Sequence, residues 1–157
     1  RAGRILSILL MIQKRLLEVP ILYLSSYIIR EKDEYYELLK NVTSHRKWIP
    51  WIIYMLKAIE ETSKYTISKI EEIDSLFTKI SELVSEKYPA IRKEFIEKLF
   101  EQPYLSPRKL LDRNMKSVNT AKKYLKQLEE IGVLIPKKIG KEVVYLNIDL
   151  YNILSDS

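Results

Sequence analysis

The sequence predicts a mainly α-helical protein with a small β-hairpin near its C-terminal end. Three observations lead there. Glycine is scarce, with only Gly3, Gly132 and Gly140 in 157 residues. The long stretch 48–87 contains no glycine, and apolar side chains recur along it at steps of three and four, the period of an amphipathic helix. Only toward the end does the pattern change. Val133–Lys138 and Glu142–Ile148 read as two strands joined by a tight turn at Ile139-Gly140-Lys141.

The elements follow in order. Residues 1–17 read as a helix, and Pro20 stops it and opens a short helix to about Ile29. Glu31 to about Val42 reads as the next helix, and Thr43–Lys47 as a turn. The stretch from Trp48 to Lys87 reads as one helix, because Pro50 falls in its first turn, where no intrahelical N–H is needed. Ile70, Ile73, Phe77, Ile80 and Val84 form a heptad seam within it. At about 1.5 Å per residue this helix is roughly 60 Å long, and its seam asks for a partner, from the same chain or a second copy. Tyr88-Pro89 breaks it. Ile91–Phe100 is amphipathic helix, Ser106 caps a short helix over Pro107–Asp112, and Arg113–Lys116 is a turn. Ser117 caps a longer helix to about Ile131, which Gly132 ends in the left-handed conformation. Asp149–Leu154 is a closing helical turn.

Composition narrows the chemistry. With no cysteine there is no disulfide, thiolate-metal site or thiol nucleophile, which fits the cytoplasm. The apolar run at 5–12 ends at Lys14 and Arg15, well short of the roughly 20 residues of a membrane helix, so no membrane partner is expected. His45 is the only histidine, beside Arg46 and Lys47, and reads as a surface residue. Trp48 and Trp51, three apart, read as core.

Charge is uneven. Of 27 basic residues, ten fall between Arg108 and Lys141, where only Asp112, Glu129 and Glu130 oppose them. Such a stretch attracts polyanions by counterion release. Helix, short helix, turn, helix and hairpin is also the order of a winged helix-turn-helix. Val118, Ala121, Leu125, Leu128 and Ile131 mark one face of the helix from Ser117, and Asn119, Thr120, Lys122, Lys123 and Lys126 lie off it. Asparagine can pair with adenine edges, and lysine can reach guanine or phosphate. The candidate DNA-contacting residues are therefore Arg108, Ser117, Asn119, Thr120, Lys122, Lys123, Lys126, and the wing lysines Lys137, Lys138 and Lys141.

The first forty residues carry a resemblance. Arg1-Ala2-Gly3-Arg4 leads into Ile5–Ile12, then Leu17-Glu18-Val19-Pro20-Ile21-Leu22-Tyr23-Leu24-Ser25-Ser26-Tyr27 and Asp33-Glu34-Tyr35-Tyr36-Glu37-Leu38-Leu39. This resembles the Fic (Fido) family, whose signature H-P-F-x-[D/E]-G-N-G-R-x-G-R would end at Arg4, so that the chain begins at its penultimate arginine. Many members have asparagine where Ser7 stands. The phrase Asn119–Leu134 likewise resembles the C-terminal module of many bacterial Fic proteins.

The resemblance implies transfer of AMP from ATP to a hydroxyl of a target protein, with Mg²⁺ as the metal. It implies that Arg4 meets the terminal phosphate or an inhibitory glutamate, and that Arg1 supports the phosphate nest. A tyrosine near the base or ribose would be Tyr36, with Tyr35 the second choice. The signature histidine, metal-binding acid and Gly-Asn-Gly nest are not in this sequence. The expectation is therefore an inactive piece with no cofactor or catalytic residue of its own. Residues 1–88 would hold the last helices of a Fic-type catalytic domain plus a long connecting helix, and 89–157 a winged helix-turn-helix. The competing reading is a stand-alone winged-helix transcription regulator with a helical dimerisation region. Candidate partners are ATP and a target protein for the whole enzyme, DNA for the winged helix, and a second copy of the chain.

Overall fold

The computed structural model describes residues 2–111, 117–140 and 142–155. It is mainly α, with a small antiparallel sheet. The helices are α1 (Ala2–Gln13), α2 (Leu24–Arg30), α3 (Lys32–His45), α4 (Trp48–Lys87), α5 (Lys93–Glu101), α6 (Val118–Glu130) and α7 (Ile148–Ser155). The strands are β1 (Tyr104–Leu105), β2 (Ile135–Ile139) and β3 (Glu142–Leu146), in the order β1-β3-β2. The chain forms two compact units, residues 1–70 and 71–157.

In the first unit, Met11, Leu22, Leu24, Tyr27, Ile28, Tyr54 and Ala58 form the core. α1 is shorter than the sequence suggests. Arg15 takes φ +58, and the Leu16 and Arg15 N–H groups donate back to the carbonyls of Met11 and Ile12. That is a Schellman closure built on arginine instead of glycine. Pro20 does not open a helix, and α2 starts only at Leu24. α3 runs on through Thr43-Ser44-His45, which the sequence assigned to a turn. Arg46 at φ +55 ends it, with its N–H donating to Val42. Two non-glycine residues thus hold left-handed positions that the sequence signals of glycine and proline did not mark. Trp48, expected in the core, is 56% exposed.

In the second unit, the last turns of α4 supply Leu76, Ile80 and Val84 to a core shared with Phe95, Ile96 and Leu99 of α5 and Ala121, Leu125 and Leu128 of α6. Ile73 and Phe77 pack at its margin, and the Phe77 and Phe100 rings meet edge-on at 5.2 Å. Most of the expected heptad seam is therefore covered from within the chain; Ile70 is not. Ser117 caps α6 as expected, its hydroxyl accepting from the Thr120 N–H at 3.4 Å. Gly132 at φ +76 closes it, with the Val133 N–H donating to the Leu128 carbonyl.

Residues 107–110 form a turn instead of the expected short helix, and 112–116 lie outside the described residues. The hairpin is present with slightly shorter strands, Lys137 facing Val144 and Lys138 facing Val143. The sequence reading missed β1, whose Tyr104 and Leu105 pair with Leu146 and Tyr145. Asn147 ties this corner together. Its N–H donates to the Pro103 carbonyl, and its side-chain oxygen accepts from the Leu150 N–H, capping α7. Both sheet edges are blunt: β1 is two residues long, and β2 is exposed throughout and carries Pro136.

Candidate functional site

α6 is the best-defined candidate surface. Ala121, Leu125 and Leu128 have no exposed area, so one side of the helix is fixed against the core. At 3.6 residues per turn, Asn119, Lys122, Lys123 and Lys126 fall within about 100° of arc on the opposite side. All four are exposed. Amphipathic spacing thus does two jobs with one helix: leucines set its orientation, and three ammonium groups and an amide are left facing water. Thr120 is half-buried, and Ser117 is exposed with its hydroxyl engaged at the cap.

Lys137 and Lys138 are both exposed on β2. Neighbouring strand residues point to opposite faces, so these two lysines serve different sides of the hairpin. Lys141 lies outside the described residues. Arg108 is exposed in the 107–110 turn and lies 3.8 Å from Glu142, a long, solvated pair that contributes little to stability. Lys109, next to it, sits over the Tyr104 ring. Among the acids expected to oppose phosphate, Glu130 accepts a hydrogen bond from the Tyr88 hydroxyl at 3.2 Å. Partial burial, then this carboxylate, push the Tyr88 hydroxyl above its usual range. The Tyr124 hydroxyl donates to the Ala90 carbonyl. Two tyrosines thus anchor the α4–α5 connection to α6, a role not marked by any motif.

The candidate nucleotide residues lie in the other unit. Arg1 is outside the described residues, and for Arg4, within α1, nothing is described of the side chain. Tyr35 and Tyr36 are neighbours on α3 with different surroundings. Tyr36 is 58% exposed. The Tyr35 ring packs 5.0 Å from Trp51 and 6.2 Å from Tyr54, against the core. Tyr54 is buried, its hydroxyl donates to the Glu31 carbonyl at 3.4 Å, and burial above all pushes its pKa up to about 12. This aromatic group packs as core. Among the described residues, no three His, Cys, Asp or Glu side chains come together as divalent-metal ligands would. Nor, among them, is any helix long and apolar enough to cross a membrane.

Residues 76–150 match the family described as protein adenylyltransferase SoFic-like, C-terminal domain. The matched stretch lies within the second compact unit and takes in the last turns of α4, the whole of α6 and the hairpin.

Proposed function

From a chain that carries, over residues 76–150, the C-terminal domain of the SoFic-like, Fic-family protein adenylyltransferases, we propose a division of labour. Residues 71–157 act as a winged-helix module that binds duplex nucleic acid, within a protein whose other part transfers AMP from ATP to a protein hydroxyl. The observation that carries the binding reading is the α6 face, with Asn119, Lys122, Lys123 and Lys126 exposed together opposite a fully buried apolar side. The order α5, turn, α6, β2, β3 supports the winged helix, with α6 as recognition helix and Lys137 and Lys138 on the wing.

In this arrangement Asn119 and the α6 lysines address the major groove, and the wing lysines hold phosphates. The Arg108–Glu142 pair opens so that the guanidinium can take a phosphate. Glu130 shares the lysine face but sits at the far end of α6, held by Tyr88. This favours docking by the N-terminal half of the helix. A gel-shift series with random duplex at low and moderate salt tests the reading. Salt-sensitive retardation supports it. No binding at low salt removes it and leaves the module as a protein-contact element.

For transfer chemistry the chain alone is expected to be inactive. A base, a metal ion and an anion nest must converge on the phosphates, and the sequence holds neither the family's signature histidine nor its Gly-Asn-Gly segment. Incubation with labelled ATP, magnesium and lysate proteins should leave no label above background. Labelling that depends on this chain would overturn that part of the proposal.

A further inference from the structure

Seen down its axis, α6 presents a single narrow ribbon to water. Asn119, Lys122, Lys123, Lys126 and Glu130 are exposed within about 100° of arc, and every other residue of Val118–Glu130 is half-buried or buried. At about 1.5 Å per residue, Lys122 and Lys123 lie roughly 4.5–6 Å along the axis from Asn119, and Lys126 about 10.5 Å. Base pairs in a duplex repeat at about 3.4 Å, so these side chains span about four of them. The ribbon then changes sign. Glu130 presents a carboxylate, which repels phosphate and is held by the Tyr88 hydroxyl. No aromatic side chain lies on the ribbon. Tyr124 turns its ring to Phe95 at 5.3 Å and its hydroxyl to the Ala90 carbonyl, so α6 offers no platform on which unpaired bases could stack.

We infer that the duplex this module takes is B-form DNA, and that α6 reads a short purine pattern in it: an adenine at Asn119, with guanine at the lysines within about three base pairs. The inference rests on the nucleic-acid reading above and narrows its ligand. A helix about 10–12 Å across fits the roughly 12 Å major groove of B-DNA. The major groove of an RNA duplex is too deep and narrow for side chains to read. The pattern of donors selects the bases. An asparagine amide carries both a donor and an acceptor, the complement of adenine N6 and N7. A lysine ammonium only donates. Guanine alone offers two acceptors, O6 and N7, on its major-groove edge, so it is the base favoured under Lys122, Lys123 or Lys126. Before Glu130, the ribbon's one side-chain acceptor is the Asn119 amide, so the amino group of cytosine finds no carboxylate over the segment that is read.

Selection at low salt from a DNA duplex pool with a randomised centre supplies the probe. The enriched duplex should carry an A·T pair with a G·C pair within about three steps. Replacing that adenine or guanine by its 7-deaza analogue removes the N7 acceptor and leaves base pairing and phosphates as they were. Affinity read by fluorescence anisotropy should fall about tenfold in each case. Asn119→Ala, at an exposed position, should lose the adenine effect and keep the guanine one, with its circular dichroism unchanged. The same sequence as an RNA duplex, or as one DNA strand, should bind at least about tenfold more weakly. An RNA duplex or a single strand that binds as tightly as the DNA duplex overturns the B-form assignment while duplex binding itself stands. A pool that binds without enriching this pattern, or binding indifferent to both deaza substitutions, overturns the base reading and leaves a phosphate-only module. No binding of any duplex at low salt removes the inference together with the reading it rests on.

Discussion

The two compact units treat their apolar residues differently. In residues 71–157, no large apolar side chain on α5, α6 or the last turns of α4 is exposed, and Leu99, Leu125 and Leu128 have no accessible surface. In residues 1–70, the helices bury one side and leave another bare: Leu6 is 63% exposed, Leu56 61% and Ile49 72%. Hydrophobic stabilisation scales with the apolar area removed from water. The helical core of the second unit therefore draws its stability from within itself, with Ile139 and Leu154 left exposed at the hairpin and on α7. The first has apolar surface whose contribution appears only when something covers it.

The largest test of that contrast is core truncation. Leu99→Ala, in the closed core, should cost about 3–5 kcal/mol, whereas Leu56→Ala, on the bare side of α4, should cost less than about 0.5 kcal/mol in the monomer. Urea melts at low protein concentration measure both. Equal costs would erase the difference between the units. Next comes the recognition helix. Asn119→Ala should lose about 1–3 kcal/mol on a preferred duplex and little on random sequence. Lys138→Ala should weaken all sequences alike and reduce the salt slope by about one unit. A smaller effect is expected at the α6 cap. Ser117→Ala should destabilise the second unit by about 0.5–1 kcal/mol, the lower part of the range for cap removal, because the bond to Thr120 is long.

The last test concerns pH in the first unit. Tyr54 holds its proton more tightly folded than unfolded, with its pKa moved from 10.0 to about 12. Its contribution is full below the unfolded value and fades as pH rises through that window. An alkaline melt should therefore lose stability between these values, and Tyr54→Phe should flatten the loss, leaving the smaller part due to Tyr27, which burial raises in the same direction.

Much of this was legible in the sequence, for identifiable reasons. The bounds of α4 follow from a proline-tolerant first turn at Pro50 and the Tyr88-Pro89 break. Both ends of α6 follow from Ser117 and Gly132, residues whose side chain or backbone freedom makes the cap. What was missed depended on tertiary context. Arg15 and Arg46 occupy left-handed caps without announcing themselves. β1 is too short for any period to show, and exists because β3 offers it an edge. Asn147 could have been suspected, since it is a polar side chain between an apolar strand and a helix start. Its partner Pro103 is distant in sequence. For the candidate site, the α6 lysines were readable from helical spacing alone. The different surroundings of Tyr35 and Tyr36 were not, because they depend on where Trp51 and Tyr54 lie.

The blunt sheet carries a consequence for solubility. A long, flat, unprotected strand edge invites strand addition from neighbouring molecules without limit. Here one edge is too short to recruit a strand, and the other presents a proline, which lacks an N–H, next to two lysines that repel their own kind. Ile139 and Val143 can therefore remain exposed at the hairpin without seeding fibrils. Association of this chain, where it occurs, should therefore not grow by strand addition at this sheet.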